Sequence, residues 1–380
     1  MAAIKSLPSI KTYFRRLPEP RVAGRSKHLL IEIVVIAICG VIADCDDFHE
    51  IEQFAKQRAD WFKGFLKLPG GIPCHDTFER VFAVLDTRVL HNCCLQWIIA
   101  VNEVLGVGHI AIDGKTSRGS GGAGFGALHV VSAWATAANV SLGEVAVDKK
   151  SNEIKAIPVL LQHLDLHGAL VTIDAMGCQK EIAKKIVDRG GDYILPVKGN
   201  QEKLLEDVQR TVEKALDGEL KPGVMRQFDT NETGHGRQEK REYIVIEHVA
   251  EIRERALWPK IKMVGMCLRE RTVRGKTTSE VHYFIGSRRM GARQYAQALR
   301  AHWAIDNNLH WQLDVSFRED ASKIQERHTA ENLGVLRKTA LSLLKRNQRK
   351  DSIARKRKLA SLNLDFLKEI LVGANNIAKV

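Results

Sequence analysis

The chain has 380 residues, 44% of them apolar and 27% charged, with 58 Lys and Arg against 45 Asp and Glu. That length allows two or three domains with a substantial core, and the composition excludes a disordered chain. The net charge of +13 points to a polyanionic partner, nucleic acid ahead of a membrane surface.

The first 105 or so residues read as helical. A basic lead (Lys11, Arg15, Arg16, Arg21) precedes an apolar run over 29–43, broken by Glu32. The run falls short of the roughly 20 residues that a membrane span needs, and reads as a buried helix. Residues 51–66 continue the helical pattern. After the turn at Gly70-Gly71, Asp76 or Thr77 is placed to cap a helix carrying Phe78, Val81, Phe82 and Leu85. His75, in a turn beside a cap, reads as a local hydrogen-bonder rather than a catalytic group. Seven cysteines, an odd number without a C-x-x-C, exclude a disulfide framework and a zinc ribbon and fit a reducing cytoplasm.

From Gly106 the pattern changes to strands. His109-Ile110-Ala111-Ile112-Asp113-Gly114 is an apolar run too short for a helix that ends on a carboxylate. Leu170-Val171-Thr172-Ile173-Asp174-Ala175 repeats it. Both read as buried strands presenting an acid at the sheet edge, where a carboxylate needs hydrogen bonds, an ion pair or a metal. A turn or helix cap explains either Asp alone; two strand-end acids in one basic protein shift the reading toward a shared metal site. Gly114-Lys115-Thr116 looks like the end of a phosphate-cradling loop. That motif needs a glycine where His109 stands and a helix after Thr116, where the sequence is glycine-rich, so the reading is rejected.

Residues 127–135 and 139–147 complete a meander of three antiparallel strands, and an amphipathic helix starts at Ser151. A helix over 179–189, a strand over 193–197 and a helix from Gln201 then alternate, as in a mixed α/β sheet. Between 221 and 287 three stretches alternate like strands (242–249, 262–269 and 280–285), after the basic turn Gly234-His235-Gly236-Arg237. They read as a β-rich insertion. A helix over about 292–317 carries the stripe Tyr295, Leu299, His302, Asp306, Leu309 and Leu313 at steps of three and four. Asp306 lies on this core-facing stripe, with His302 and His310 one turn either way and Trp303 and Trp311 beside it. The tail opens with a helix over 326–344. Its charge run from Lys345 to Lys358 is either solvated or in phosphate contact.

Seven ordered motifs then carry a resemblance over nearly the whole chain. They are Ile72-Pro73-Cys74-His75-Asp76-Thr77-Phe78, Ala111-Ile112-Asp113-Gly114-Lys115-Thr116 and Lys150-Ser151-Asn152-Glu153-Ile154, followed by Thr172-Ile173-Asp174-Ala175-Met176-Gly177-Cys178-Gln179. Val197-Lys198-Gly199-Asn200-Gln201, His235-Gly236-Arg237 and His302-Trp303-Ala304-Ile305-Asp306-Asn307-Asn308-Leu309-His310-Trp311 complete the set. The chain resembles the H-repeat-associated proteins, the ISAs-type group of DDE transposases encoded by bacterial insertion sequences.

The resemblance implies an α/β fold: a ribonuclease-H-like catalytic core with a β-rich insertion, preceded by a helical N-terminal domain. Its divisions fall at 1–105, 106–222, 223–287, 288–346 and a basic tail over 347–380. The family's first two catalytic aspartates fall on Asp113 and Asp174. Its third acid, a glutamate in the pattern His-Trp-x-Ile-Glu-Asn, falls on Asp306, one methylene shorter. Asp314 and Glu319 stand further along as substitutes. The acids are expected to hold two Mg²⁺ ions, with Mn²⁺ able to replace them: Asp113 bridging, Asp174 on one, Asp306 on the other. Lys115, Lys198 and Arg237 are expected at phosphates near the cut, within a DNA-facing set that adds Asn200, Arg300, His302, Trp303, Asn307 and His310. His302 or His310 would also orient the third acid. The implied partner is double-stranded DNA, terminal inverted repeats and target, bound by a homo-oligomer at the nucleoid in the cytoplasm. The function so implied is DNA cutting and joining. Its rivals are a DNA-binding relative whose catalysis has decayed, favoured by the Asp at 306, and a structure-selective nuclease on the same fold.

Overall fold

Helices α1 (Pro8–Phe14), α2 (Leu30–Ile42), α3 (Phe48–Gln57), α4 (Ala59–Lys63), α5 (His75–Phe82) and α6 (Thr87–Asn102) precede the first strand in the computed structural model, which describes residues 8–22, 24, 26–102, 108–121, 126–147, 153–234 and 236–372. The expectations at Lys150, Ser151, Asn152 and His235 lie outside the described residues. The strands β1 (His109–Ser117), β2 (Leu128–Ala135) and β3 (Val140–Val147) form the antiparallel meander. Next α7 (Glu153–His163), β4 (Leu170–Ile173), α8 (Lys180–Asp188), β5 (Asp192–Val197) and α9 (Glu202–Leu216) alternate. Four strands follow, β6 (Met225–Gly234), β7 (Arg237–Ile246), β8 (Met263–Val273) and β9 (Lys276–Gly286). Last come α10 (Ala292–Ile305), α11 (Arg327–Arg346), α12 (Ile353–Leu362) and α13 (Leu364–Val372).

Among the described residues nine strands join one mixed sheet in the order β3-β2-β1-β4-β5-β9-β8-β7-β6. The strands β1, β4 and β5 are parallel, and every other pairing is antiparallel. Because β9 pairs with β5, the stretch expected as an insertion extends the main sheet. It has four strands rather than three. Its first, MRQFDTNETG, is largely exposed and has no apolar alternation to read.

One face of the sheet carries α7, α8 and α9 over Ile112, Val131, Val171 and Leu195. On the other face α10 covers Leu170, Ile194, Met263 and Phe284, while the helical bundle packs on Ala111, Trp134 and Val140. At the middle of that bundle lies α2, buried at every residue but Ile31, as suits a helix apolar all round. Its one charge, Glu32, accepts the N–H groups of Lys67 (2.6 Å) and Leu68 (3.1 Å), which offsets its burial.

Three local expectations are corrected. The α5 helix starts at His75 with no side-chain cap from Asp76 or Thr77, and His75 is the local hydrogen-bonder, its Nδ1 2.8 Å from Glu52 Oε2. The helix expected over 292–317 leaves the α form at Ile305; Asp306–His310 and Gln312–Ser316 are two π turns, with the Phe317 N–H donating to the Gln312 carbonyl at 3.2 Å. Part of the charged run folds back into the bundle, whereas Arg349, Lys350, Arg355 and Lys358 stay exposed. Lys356 is 4% exposed and Arg357 fully buried, so neither is free for phosphate. The Arg357 guanidinium donates to the carbonyls of Val41 (3.1 Å), Cys45 (3.1 Å) and Ser316 and to Asp46 (3.0 Å), and stacks 4.3 Å from the Phe317 ring. Among the described residues no helix is long and apolar enough to cross a membrane.

Candidate active site

Strand register sets the first two acids. Ile112 pairs with Ile173 in the parallel β1–β4 ladder, so Asp113 and Asp174 stand side by side. Asp174 follows the last residue of β4, but Asp113, expected to end its strand, lies at the middle of β1, whose ladder with β2 runs on to Ser117. Gly114 faces the opposite side of the sheet, where His129 and Glu153 pair at 2.6 Å, both nearly fully buried. A Cβ there would stand 2.6 Å from Glu153 Oε1 and 2.8 Å from His129 Nε2, so the position admits only glycine without a shift. Asp174 caps a short 3₁₀ turn, accepting the Gly177 N–H at 3.2 Å.

The third acid arrives from the end of α10. Asp306, at the first residue of the π turn, is exposed, whereas His310 in the same turn is buried. Ligand atoms of Asp113, Asp306 and His310 all lie within 4.8 Å of one another. His310 Nε2 is 3.1 Å from Asp113 Oδ2, so this histidine steadies the first acid, not the third as expected. Burial works to raise the Asp113 carboxyl, but the hydrogen bond and charge of His310 outweigh it and leave the group lowered. Asp306 is raised, by the partial desolvation of its carboxyl in the cavity and then by the Asp113 charge. Two like charges are held close, one favoured and one disfavoured.

Asp113, Asp174 and Asp306 line one cavity of about 210 Å³, with Lys198, His282, His302 and Trp303 around it. Beneath its floor runs a chain of polar contacts: His302 Nδ1 to Thr172 Oγ1 (3.1 Å), Thr172 Oγ1 to His109 Nε2 (2.9 Å), and His109 Nδ1 to Thr136 Oγ1 (2.9 Å). Burial pushes His109 down to about 4, so its ring is neutral at pH 7.

A family model described as "Transposase DDE domain" matches residues 106–343, and one described as "DDE_Tnp_1-associated" matches residues 11–98. The chain belongs to the DDE transposase family. It is 39% identical to "Putative transposase YncI" of Escherichia coli O157:H7, over 98% of this chain and 96% of that one. It is 34% identical to "H repeat-associated putative transposase YhhI" of Escherichia coli (strain K12), over 97% of this chain and 99% of the relative.

Within this DDE chain the remaining expected residues differ in how near they stand to the cavity. Lys198, exposed at the cavity, and Trp303, edge-on to His282 at 5.9 Å, belong to the site's wall. Asn307 is exposed beside Asp306. Asn200 donates to the Ala175 carbonyl at 2.8 Å and so braces the turn after Asp174. Arg237 and Arg300 lie out along the sheet, paired with Glu239 (3.2 Å) and Glu232. Lys115 is corrected: only 12% exposed, its ammonium is held by Asp314 (2.6 Å) and Glu319 and is not free for phosphate. The same pairing removes Asp314 and Glu319 as substitutes for the third acid. Sequence reading missed His109, Thr172 and His282. Period-two alternation carried a signal for the first two, which share a strand face with Asp113 and Asp174.

The DDE family uses divalent metals, and the donor set fits one. Asp113 and Asp306 supply oxygen donors whose mutual repulsion a cation would relieve, and His310 already bonds Asp113 as an outer partner does in metal sites.

Proposed function

We propose that this chain cuts and joins DNA strands as an insertion-sequence transposase, on a ribonuclease-H-like unit made of β1 to β5. The strand order β3-β2-β1-β4-β5, an antiparallel meander followed by two parallel strands, supports that fold reading. The observation that carries the function is the convergence of acids from two neighbouring strands and one helix end on a single cavity.

Asp113, Asp174 and Asp306 would hold Mg²⁺ or Mn²⁺. Such ions, when bound as a pair, activate the attacking oxygen and stabilise the leaving one in phosphodiester cleavage and strand transfer. The chain's own groups divide the remaining work. His310 fixes the rotamer of Asp113, and the neutral His109, through Thr172, fixes that of His302 at the cavity wall. Lys198 offers an exposed ammonium for a phosphate near the acids. The shorter acid at 306 was the ground for a decayed, binding-only chain; its approach to within 4.8 Å of Asp113 favours the active reading. Terminal repeats and target DNA as substrates, and a homo-oligomer on paired ends, complete the proposal.

The test is incubation with a terminal-repeat duplex and Mg²⁺ or Mn²⁺. Nicking that is lost in Asp113→Ala and in Asp174→Ala is expected. Undiminished nicking by Asp113→Ala would show that the acids have been assigned to the wrong chemistry.

A further inference from the structure

The face of the sheet that carries the acids continues outward along β7, β8 and β9 with charge that the cavity does not use. Cross-strand register puts Glu239 opposite Arg271 and Arg241 opposite Arg269, so these side chains share one face with Arg237. Glu239 is 5% exposed and is ringed by four guanidiniums: Arg269 (3.1 Å), Arg237 (3.2 Å), Arg271 (3.9 Å) and Arg241. One carboxylate cannot neutralise four cations. The inner Arg241 is 11% exposed, whereas Arg237 and Arg271 are each 44% exposed, so the surplus charge faces solvent.

Lys276 and Arg300 add to the same side, against Glu232 and Glu280. On the reverse side of these strands the balance is opposite: Lys240 stands against Asp229, Glu242 and Glu270. The basic side is continuous with the acid cavity. His282, two residues beyond Glu280 on β9, lines that cavity and meets Trp303. Arg300 and Trp303 on α10 and Asp306 at the π turn follow one another at steps of three, leading from Glu232 to the acids. At about 3.4 Å per residue, the basic face runs from roughly 7 to 20 Å out from His282.

We propose that this arginine-lined face of β7–β9 binds the phosphate backbone of the duplex that leads into the acid cavity. Glu239 is a positioning residue here: it holds the guanidiniums in place before any phosphate arrives, which lowers the ordering cost of binding. Contacts of this kind fix register without reading sequence. The inference rests on the reading of DNA as substrate.

The test is equilibrium binding of a labelled duplex of arbitrary sequence in EDTA, so that strand chemistry plays no part, repeated across salt concentrations. Each lost phosphate contact flattens the slope of log K against log salt by about 0.9. The double variant Arg237→Gln/Arg271→Gln should therefore flatten it by about 1.8. Lys240→Gln on the reverse side should leave it unchanged, and Arg237→Lys/Arg271→Lys should nearly preserve it; a fold defect would appear in both arginine pairs, a charge defect only in the Gln pair. An unchanged slope in the Gln pair overturns the proposal. So does an equal loss in Lys240→Gln, which would make the effect one of diffuse charge, or tighter retention of polyglutamate than of duplex, which would make the face an acidic-peptide site. If the unaltered chain shows no salt-dependent duplex binding, the reading of DNA as substrate falls as well. If it binds and the arginine pairs bind alike, only this surface is lost.

Discussion

Asp306→Asn should stabilise the metal-free protein while abolishing its response to Mg²⁺. The carboxylates of Asp113 and Asp306 lie within 4.8 Å. Two unit charges at that separation repel by about 1 kcal/mol in water and about 3.5 kcal/mol at an effective dielectric of 20. Asp306 is exposed, so the lower figure applies, and removing its charge should raise the melting temperature by about 1 °C. Mg²⁺ at ten times its dissociation constant should stabilise the unaltered chain by about 1.4 kcal/mol and the variant hardly at all. The pH dependence has a fixed sign. A carboxyl raised in the folded state handicaps folding above its folded pKa, and the handicap disappears below its unfolded value, so the variant's advantage should be full at pH 7 and gone below about pH 3.8. Thermal unfolding followed by circular dichroism, with and without Mg²⁺, reads all three. A variant less stable than its parent, or one that Mg²⁺ still stabilises equally, would refute the like-charge pair as the metal's seat.

Three further outcomes follow from the buried charges nearby. Lys115→Met should cost about 3–5 kcal/mol in urea unfolding, because Asp314 and Glu319 lose their cation, while metal-free duplex affinity stays unchanged. Glu319 is held down to about 2, since the charges of Lys115, Lys338 and Arg337 outweigh its burial; its stabilisation is full above about pH 4.5 and is lost as pH falls toward 2, so Glu319→Gln should flatten the acid limb of a stability–pH profile. Arg357→Met should cost about 3–5 kcal/mol, and Arg357→Lys should recover little of it, because a compact ammonium cannot span the carbonyls of Val41, Cys45 and Ser316 together.

What could be read from the residues was what depends on short-range pattern. Two apolar runs ending in Asp gave β1 and β4 with the acids side by side, though β1 runs on past Asp113 to Ser117 in its ladder with β2, and the step of three and four along 292–305 gave α10. The failures share a cause in long-range pairing. Nothing local in MRQFDTNETG marks a strand, because β6 is held by its ladder to β7 and by α10 rather than by a buried stripe of its own. Lys115 reads as a phosphate ligand until Asp314 and Glu319, some 200 residues on, are known to enclose it. Arg357 looks solvated in a run of charges, yet its partners come from residues 41–46 and 316. Each buried cation is satisfied by groups far off in sequence, and local composition carries no trace of them.

The third acid shows how such distant partners shape the site. Strand register holds Asp113 and Asp174 in place, whereas a helix could present Asp306 at any rotation about its axis. The chain abandons the α form at that residue, and a π turn has poorer intrinsic stability, so something must offset it. The anchors follow directly in sequence: Leu309 and Leu313 fully buried in the helical core, His310 on Asp113, and Lys115 gripping Asp314 and Glu319. They tie residues 309–319 to β1 and to the bundle on one face of the sheet, and Asp306 is carried to Asp113 by those ties. Losing one methylene shortens a carboxylate's reach by about 1.5 Å. A backbone clamped this close to β1 brings even the short side chain of an aspartate at 306 to within 4.8 Å of Asp113, and the π turn that starts there is part of the same arrangement.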